Sequence, residues 1–598
     1  MAILDQSDRP NFLRASVLLI GLAWTLPFLQ PWHRYPLTGF YSEWLAFALG
    51  LAAALVLLRR KSWQDAALPV VAIAPVGLVV VLGLQAALGR MPYAEQALTA
   101  TLYLLWASLL MVLGQAIRRG LGMTPVATTL AWFLITGGAI SALVGLLQHF
   151  EISTPFDSLV ARKTSLLVFG NLGAPAHFAA HLTLALASAT YLFGCRRLHG
   201  ALAAGCAGLF LLLLALAGTR STWLYLGALI VLAVLLHRLR RVDGSVRIVV
   251  FACWLLPGFI AAQWLVTLPF MVPDEGPLMT TSAERLYQFA SGVGPRLQLW
   301  GEAWQMFLAA PALGAGFGQF AWHHFLHQAA TGATAAPGVF NHSHNLVMQL
   351  LAETGAIGAS VIVGAVLLWL ADLRRAKFGL EAWWLLSLLA VIGVYSLLEY
   401  PLWYAYFLGV AALLLGLGAE RVFVLRLAGA ARAVVGIGII AGWLNLIGVL
   451  SPYREFERLV FSSGQRSLPA AGEQEFARRL ADVYREPLLV PYVELAVAYG
   501  ITPSKVKLTE KLELTTRAMH FAPVDVVVYR QALLLALAGR GEAARAQLER
   551  SLRVYPEQRA AVVTDLENLA RRYPDELTPL LELATSNFAE GRAPQQVK

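Results

Sequence analysis

GLFLLLLALAGTRSTWLYLGALIVLAVLLHRLRR, residues Gly208–Arg241, carries two apolar runs parted by the short Gly218–Ser221 turn and closed by Arg238, Arg240 and Arg241. A helix needs about 20 apolar residues to cross the ~30 Å hydrocarbon core of a bilayer. In lipid every backbone polar group must find its partner inside the segment, which favours the helix as the spanning form. Windows 200–218 and 221–237 therefore read as a helical hairpin that crosses a membrane and returns. Its exit is strongly basic, and its turn holds a single arginine, Arg220.

The same pattern fills most of the chain. Of 598 residues, 58% are hydrophobic and 14% charged, against about 25% charged in soluble domains. The mean hydropathy is +0.62. Suitable apolar windows fall at 13–30, 42–58, 68–88, 96–117, 124–149, 174–194, 200–218, 221–237, 247–268, 354–371, 380–398, 401–419 and 433–451. They predict an all-α polytopic membrane protein with about 13 transmembrane helices. Leu13–Leu29 is long enough to span and reads as the first of them rather than as a cleaved leader.

Charge sets the expected orientation. Arg59-Arg60-Lys61, Arg118-Arg119, Arg196-Arg197, Arg238/Arg240/Arg241, Arg374-Arg375-Lys377 and Arg421/Arg426/Arg432 follow the even-numbered windows. Cytoplasmic loops carry an excess of Lys and Arg. The N-terminus and these loops are thus expected in the cytoplasm, and the odd-numbered exits outside it. The same clustering explains the net charge of +10 without nucleic acid as a partner. Cys195, Cys206 and Cys253 lie in or beside apolar runs and show no metal-ligand spacing.

Four regions follow from this topology. Residues 1–268 hold helices 1–9, and 269–353 form a large extracytoplasmic loop. Residues 354–451 hold helices 10–13, and 452–598 form a soluble helical tail. Asp525–Pro556 in that tail reads as two amphipathic helices around Gly539-Arg540-Gly541, with Ala532, Ala536, Ala538, Ala543, Ala544 and Ala546 allowing close packing. Pro523, Pro556 and Pro574 punctuate it. The expectation is a tetratricopeptide-like hairpin, serving either to dock a protein or only to stabilise the fold.

Chemistry concentrates outside the cytoplasm. Asn341-His342-Ser343-His344-Asn345 ends the large loop before the apolar run Leu346–Leu351. A histidine takes and releases a proton near neutral pH. His344, next to Asn345 and a helix start, reads as a general base. If the stretch is extended, His342 points to the same side. Two histidines at this spacing, without a nearby Asp or Cys, make a poor metal site. Interfacial hydrogen bonding is the bland alternative. Arg220 runs against the positive-inside rule and so needs a reason. Its fork matches phosphate oxygens, whereas its default role is to reach lipid headgroups. Arg296 shares a helical face with Trp300 and Trp304 by spacing, and either grips a diphosphate or pairs with Glu302 or Glu284.

Weaker signals surround these. Pro311–Phe320 (PALGAGFGQF) matches no phosphate-binding pattern and reads as a tight turn closing a re-entrant segment. His323, His324 and His327 have no acid close in sequence and read as a surface helix face. Gln148-His149 and Glu399–Tyr404 (EYPLWY) sit at one membrane level. Trp403 fits an ordinary aromatic belt. The tyrosines fit the same belt, but Glu399, Tyr400 and Tyr404, an acid beside two tyrosines, also suit a sugar or an acceptor hydroxyl.

Asn341–Gly358 (NHSHNLVMQLLAETGAIG) resembles the signature of the O-antigen ligase/polymerase superfamily, the Wzy_C or WaaL-like proteins. Within it, Glu399–Gly409 (EYPLWYAYFLG) and the soluble tail are similar to the PglL-type protein O-oligosaccharyltransferases. The resemblance implies a GT-C-like membrane fold. It implies en bloc transfer of a glycan from undecaprenyl diphosphate to Ser or Thr hydroxyls of periplasmic proteins such as pilin, at the bacterial inner membrane. It gives His344 the transfer role, Arg220 (GTRSTW) and Arg296 (GPRLQLW) the donor pyrophosphate, and Gln148 and Tyr400 a part in activity. His342 and Asn345 stand as supporting residues. No cofactor and no metal are expected. The acceptor is a protein or, in related enzymes, the lipid A–core or another glycan repeat. A lipid-linked glycan transporter would carry charges within its spans, which here are nearly free of them. A scaffold would have no use for the histidines.

Overall fold

The computed structural model describes residues 9–59, 67–163, 167–271, 294–332, 338–376, 378–424, 428–463 and 470–586. Each of the expected apolar windows is filled by helix. Among the described residues, ten helices are long and apolar enough to cross a membrane. The three remaining windows hold the shorter helices Gly200–Leu216, Leu380–Ser396 and Ala405–Gly418. Ala405–Gly418 has 14 residues. At about 1.5 Å per residue that is ~21 Å, short of a full hydrocarbon core. The chain is an all-α multi-pass membrane protein. One small exception to the helical expectation is a strand pair, Ala67–Pro69 antiparallel to Val422–Val424, with Leu68 opposite Phe423.

The chain forms two compact units. One comprises residues 1–78, 102–292 and 360–448; the other comprises 79–101, 293–359 and 449–598. Both draw on three separate stretches, so the units do not follow the linear division at 268, 353 and 451.

In the first unit the helix Pro175–Gly194 is the axis. Its alanines at 179, 180, 185, 187 and 189 are fully buried. Small residues let membrane helices approach closely, where lipid offers no hydrophobic drive to association. The helices Met123–His149, Gly200–Leu216, Ser221–Arg240, Ser245–Leu265 and Leu380–Ser396 pack around it. Trp384 Nε1 donates to Ser188 Oγ at 3.1 Å, and Trp383 Nε1 to the Leu229 carbonyl at 3.2 Å. Both indoles are buried, so each needs such a partner.

The second unit joins the helices Pro295–Ala309 and Phe320–Thr331 to a helical tail. The helices Asp525–Leu537 and Gly541–Val554 form the hairpin expected around Gly539. Ala532, Ala536 and Ala544 are buried at its core, while Ala543 and Ala546 face out. Arg559–Ala570 and Pro574–Thr585 complete a second helix pair. The helix Ala428–Ser463 runs through the expected boundary at 451, and Leu346–Leu373 through the one at 353.

Candidate functional site

Asn345 starts the Leu346 helix. Its Oδ1 accepts from Val347 N at 3.0 Å and Met348 N at 3.2 Å, two of the amides a helix leaves unpaired at its start. Its own carbonyl accepts from Gln349 N at 2.9 Å. Asn345 therefore caps this helix. The buried Ser343 is fixed from both sides. Its N–H donates to Gln349 Oε1 at 2.7 Å and its hydroxyl to the Asn345 carbonyl at 3.1 Å.

Between these two anchors His344 takes φ +55°. Non-glycine residues seldom enter this left-handed region, and where they do the surroundings must hold them there. The turn has a consequence for the paired-histidine expectation. An extended stretch would send both imidazoles to one side, but the backbone is not extended at His344. That argument for His342 fails. His342 is half-buried and its Nδ1 lies 2.9 Å from Asn341 Oδ1.

Behind the segment lies a pair that sequence reading missed. His324 Nδ1 meets Glu302 Oε2 at 2.5 Å, and the two side chains are only 2% and 4% exposed. The surface-face expectation is wrong for His324, whose acid sits on another helix. Gln298 Nε2 donates to Glu302 Oε1 at 3.0 Å. Glu302 is thus engaged by His324 and Gln298, and Glu284 lies outside the described residues. Phe340 links this layer to the motif. Its ring centroid is 5.8 Å from that of His324 and 5.7 Å from that of His344. Arg296 is half-buried in the first turn of the helix that carries Glu302.

Pro311–Phe320 turns against a kinked helix, and its amides face protein. Ala315 N and Gly316 N donate to the carbonyls of Ala352 and Glu353 at 2.9 and 3.2 Å. Ala356 N donates to the Pro311 carbonyl at 2.8 Å. The helix breaks here, with Gly355 at φ +66°. The buried Gln85 bridges both sides, donating to the carbonyls of Leu313 and Glu353 at 2.5 and 2.7 Å. Glu353 Oε1 accepts from Phe320 N at 3.1 Å.

The other candidates belong to the first unit. Arg220 is half-buried at the N-terminal end of Ser221–Arg240, after Gly218 turns the chain at φ +61°. Gln148, next to last in the helix Met123–His149, pins the following loop. Its Nε2 donates to the carbonyls of Ala161 and Gly170 at 2.6 and 2.7 Å. This is an architectural task that also accounts for its burial.

Glu399–Tyr404 comes together with groups that sequence reading did not single out. Tyr400 and Tyr404 stack at 6.0 Å. The His177 ring lies 4.6 Å from Tyr404, and its Nδ1 meets the Tyr395 hydroxyl. Glu43 Oε2 accepts from Ala405 N at 2.6 Å and Tyr103 OH at 3.1 Å. Burial, then the Glu399 charge, raises the Tyr400 phenol above its ordinary pKa. Both phenols can donate hydrogen bonds beside acids that accept them. A hint was available: Glu43 is an acid in the first turn of an apolar window. Among the described residues, no group of three His, Cys, Asp or Glu side chains is placed to hold a metal ion.

Residues 205–363 match the family model described as "O-Antigen ligase". Residues 383–568 match the model described as "Virulence factor membrane-bound polymerase, C-terminal". A curated protein named General O-oligosaccharyltransferase, from Acinetobacter baylyi (strain ATCC 33305 / BD413 / ADP1), is 25% identical over 409 residues. The alignment covers 68% of this chain and 69% of that protein. The resemblance carried by Asn341–Gly358 is thereby borne out, and that stretch lies inside the first match.

Proposed function

We propose that this chain is a glycosyltransferase of the O-antigen ligase superfamily that moves a glycan en bloc from a polyprenyl diphosphate to hydroxyls of Ser or Thr in a periplasmic protein. The observation that carries the reading is the backbone of His344. It is held left-handed between the capping Asn345 and the doubly anchored Ser343, inside the region that matches the O-antigen ligase model.

In this reading the chain crosses the inner membrane thirteen times, with its N-terminus cytoplasmic. The His344 segment and the helical tail are periplasmic. No soluble nucleotide donor is available there, so the donor arrives already activated. His344 takes the proton from the acceptor hydroxyl as its oxygen attacks the anomeric carbon. The bond from that carbon to the diphosphate breaks, and the carbon inverts. Arg220 and Arg296, assigned by their sequence motifs, hold the diphosphate and stabilise the charge of the leaving group, so no metal is obligatory. Glu399, Tyr400 and Tyr404 supply hydroxyls, a carboxylate and stacked rings, the groups that bind saccharide hydroxyls and faces.

The two family matches favour, as a second reading, transfer to lipid A–core or polymerisation of repeats. The experiment that separates them uses purified protein and a synthetic polyprenyl-diphosphate glycan. Pilin-like protein, core lipid and a second glycan are offered as acceptors, and products are identified by mass. Modified protein that disappears with His344→Ala supports the proposal. Product on core lipid or glycan alone would replace it with the second reading.

A further inference from the structure

Glu302 and His324 are buried, close together, and belong to no step above. We propose that they are a positioning pair that fixes the backbone carrying His344, an inference that rests on the base role proposed for His344.

The connection is continuous within one unit. Gln328 Nε2 donates to His324 Nε2 at 3.1 Å and to the Gly338 carbonyl at 3.4 Å. With Nε2 accepting, the proton of the neutral ring sits on Nδ1 and is donated to Glu302 Oε2. Gln298 holds the other carboxylate oxygen. The ring is also fixed flat, because Phe320 stacks on it at 6.0 Å and 15°. Gly338 opens the segment that leads to the motif. Two residues on, Phe340 packs among Leu299, Ala303, Met306 and Phe320. The same Phe340 ring makes edge contacts with both His324 and His344. The strained histidine is therefore braced twice, by Ser343 and Asn345 in its own chain and by the His324 layer behind.

A buried acid is costly unless it is paired and fully hydrogen-bonded. An apolar pair would fill the same space at less cost, so a demand for fixed geometry explains why this one is polar. Misplacement of a reacting group by 1 Å can cost on the order of 100-fold in rate.

The test is steady-state transfer by full-length protein with the synthetic donor, for Glu302→Ala, Glu302→Gln and His324→Ala, with thermal unfolding followed in parallel. The expected result is a kcat lower by about tenfold or more for both alanine variants. Donor KM should stay within about twofold, because diphosphate binding is untouched. Glu302→Gln, whose amide oxygen still accepts from Nδ1–H, should recover most of the rate while melting close to wild type. Unchanged kcat in folded alanine variants overturns the inference. So does a loss that merely tracks the folded fraction, or a Glu302→Gln variant no better than Glu302→Ala. His344→Ala is run alongside. If it retains transfer, the base assignment fails and takes this inference with it. If it is dead while the Glu302 and His324 variants are normal, only this inference fails.

Discussion

Gly355 lies backbone to backbone against Ala312. A methyl group built on Gly355 would sit 2.5 Å from the Ala312 carbonyl carbon and 2.6 Å from Gly314 N. Its φ of +66° is also one that side chains resist. Gly355→Ala should therefore cost more than the ~1–2 kcal/mol of a left-handed residue alone. We expect a markedly lower melting temperature in detergent. Gly364→Ala, on the same helix with open space around it, should melt like wild type. Equal melting of the two variants would contradict this packing.

His344→Asn separates chemistry from conformation. Asparagine tolerates the left-handed region, so the segment should keep its shape, yet it cannot act as a base. Loss of a general base typically costs 10²–10⁴-fold. Transfer should fall by about 100-fold or more while the unfolding transition stays put.

Asn345→Ala removes the cap from Val347 and Met348. Helix caps are worth ~1 kcal/mol. A modest loss of stability and a partial loss of transfer are expected, with Asn345→Asp restoring both. An inactive but fully stable Asn345→Asp would instead point to contact with substrate.

Arg220→Lys and Arg296→Lys keep the charge and lose the bidentate fork. Each should raise the donor KM severalfold and leave the acceptor KM near its original value. Acceptor KM changing alone would remove the diphosphate role.

Glu494 predicts an acid limb in stability. Burial pushes its pKa up, but hydrogen bonds from Arg517, Tyr93 and Tyr484 outweigh that and hold it below the ordinary carboxylate value. Tyr93 OH reaches Glu494 Oε2 at 2.7 Å, and Arg517 Nη2 reaches Oε1 at 2.8 Å. A carboxyl with a depressed folded pKa contributes stability above its unfolded pKa, lost as pH falls through the folded value. Unfolding measured from pH 7 downward should show this loss in wild type. Glu494→Gln should be less stable at pH 7 and flatter with pH.

Much of this was legible in the sequence because hydropathy is a local signal. Each apolar window became helix, and Gly539-Arg540-Gly541 marked its hairpin. What stayed hidden depends on distant partners. Gly355 breaks its helix because the Pro311–Gly316 backbone passes against it, and nothing in ETGAIG states that. His324 looked exposed because its acid, Glu302, lies on a different helix. His342 looked paired with His344 only while the backbone was taken as extended. Gln148 showed no structural partner in sequence, yet its Nε2 is held by two carbonyls of the following loop.

The helix Phe320–Thr331 contributes to two cores. Phe320 and His324 face Glu302, Phe340 and Ala352, whereas Phe325 and Ala329 join Ala518, Met519, Val527 and Val528 of the tail. Arg553 ties the tail to the Ala329 carbonyl at 3.2 Å. The tail is consequently no detachable module. A chimera that exchanges it for a relative's must carry residues 320–331 as well, or it brings a foreign wall to one core or leaves a hole in the other. The tail and the layer around Glu302 and Phe340 are thus inherited as one block.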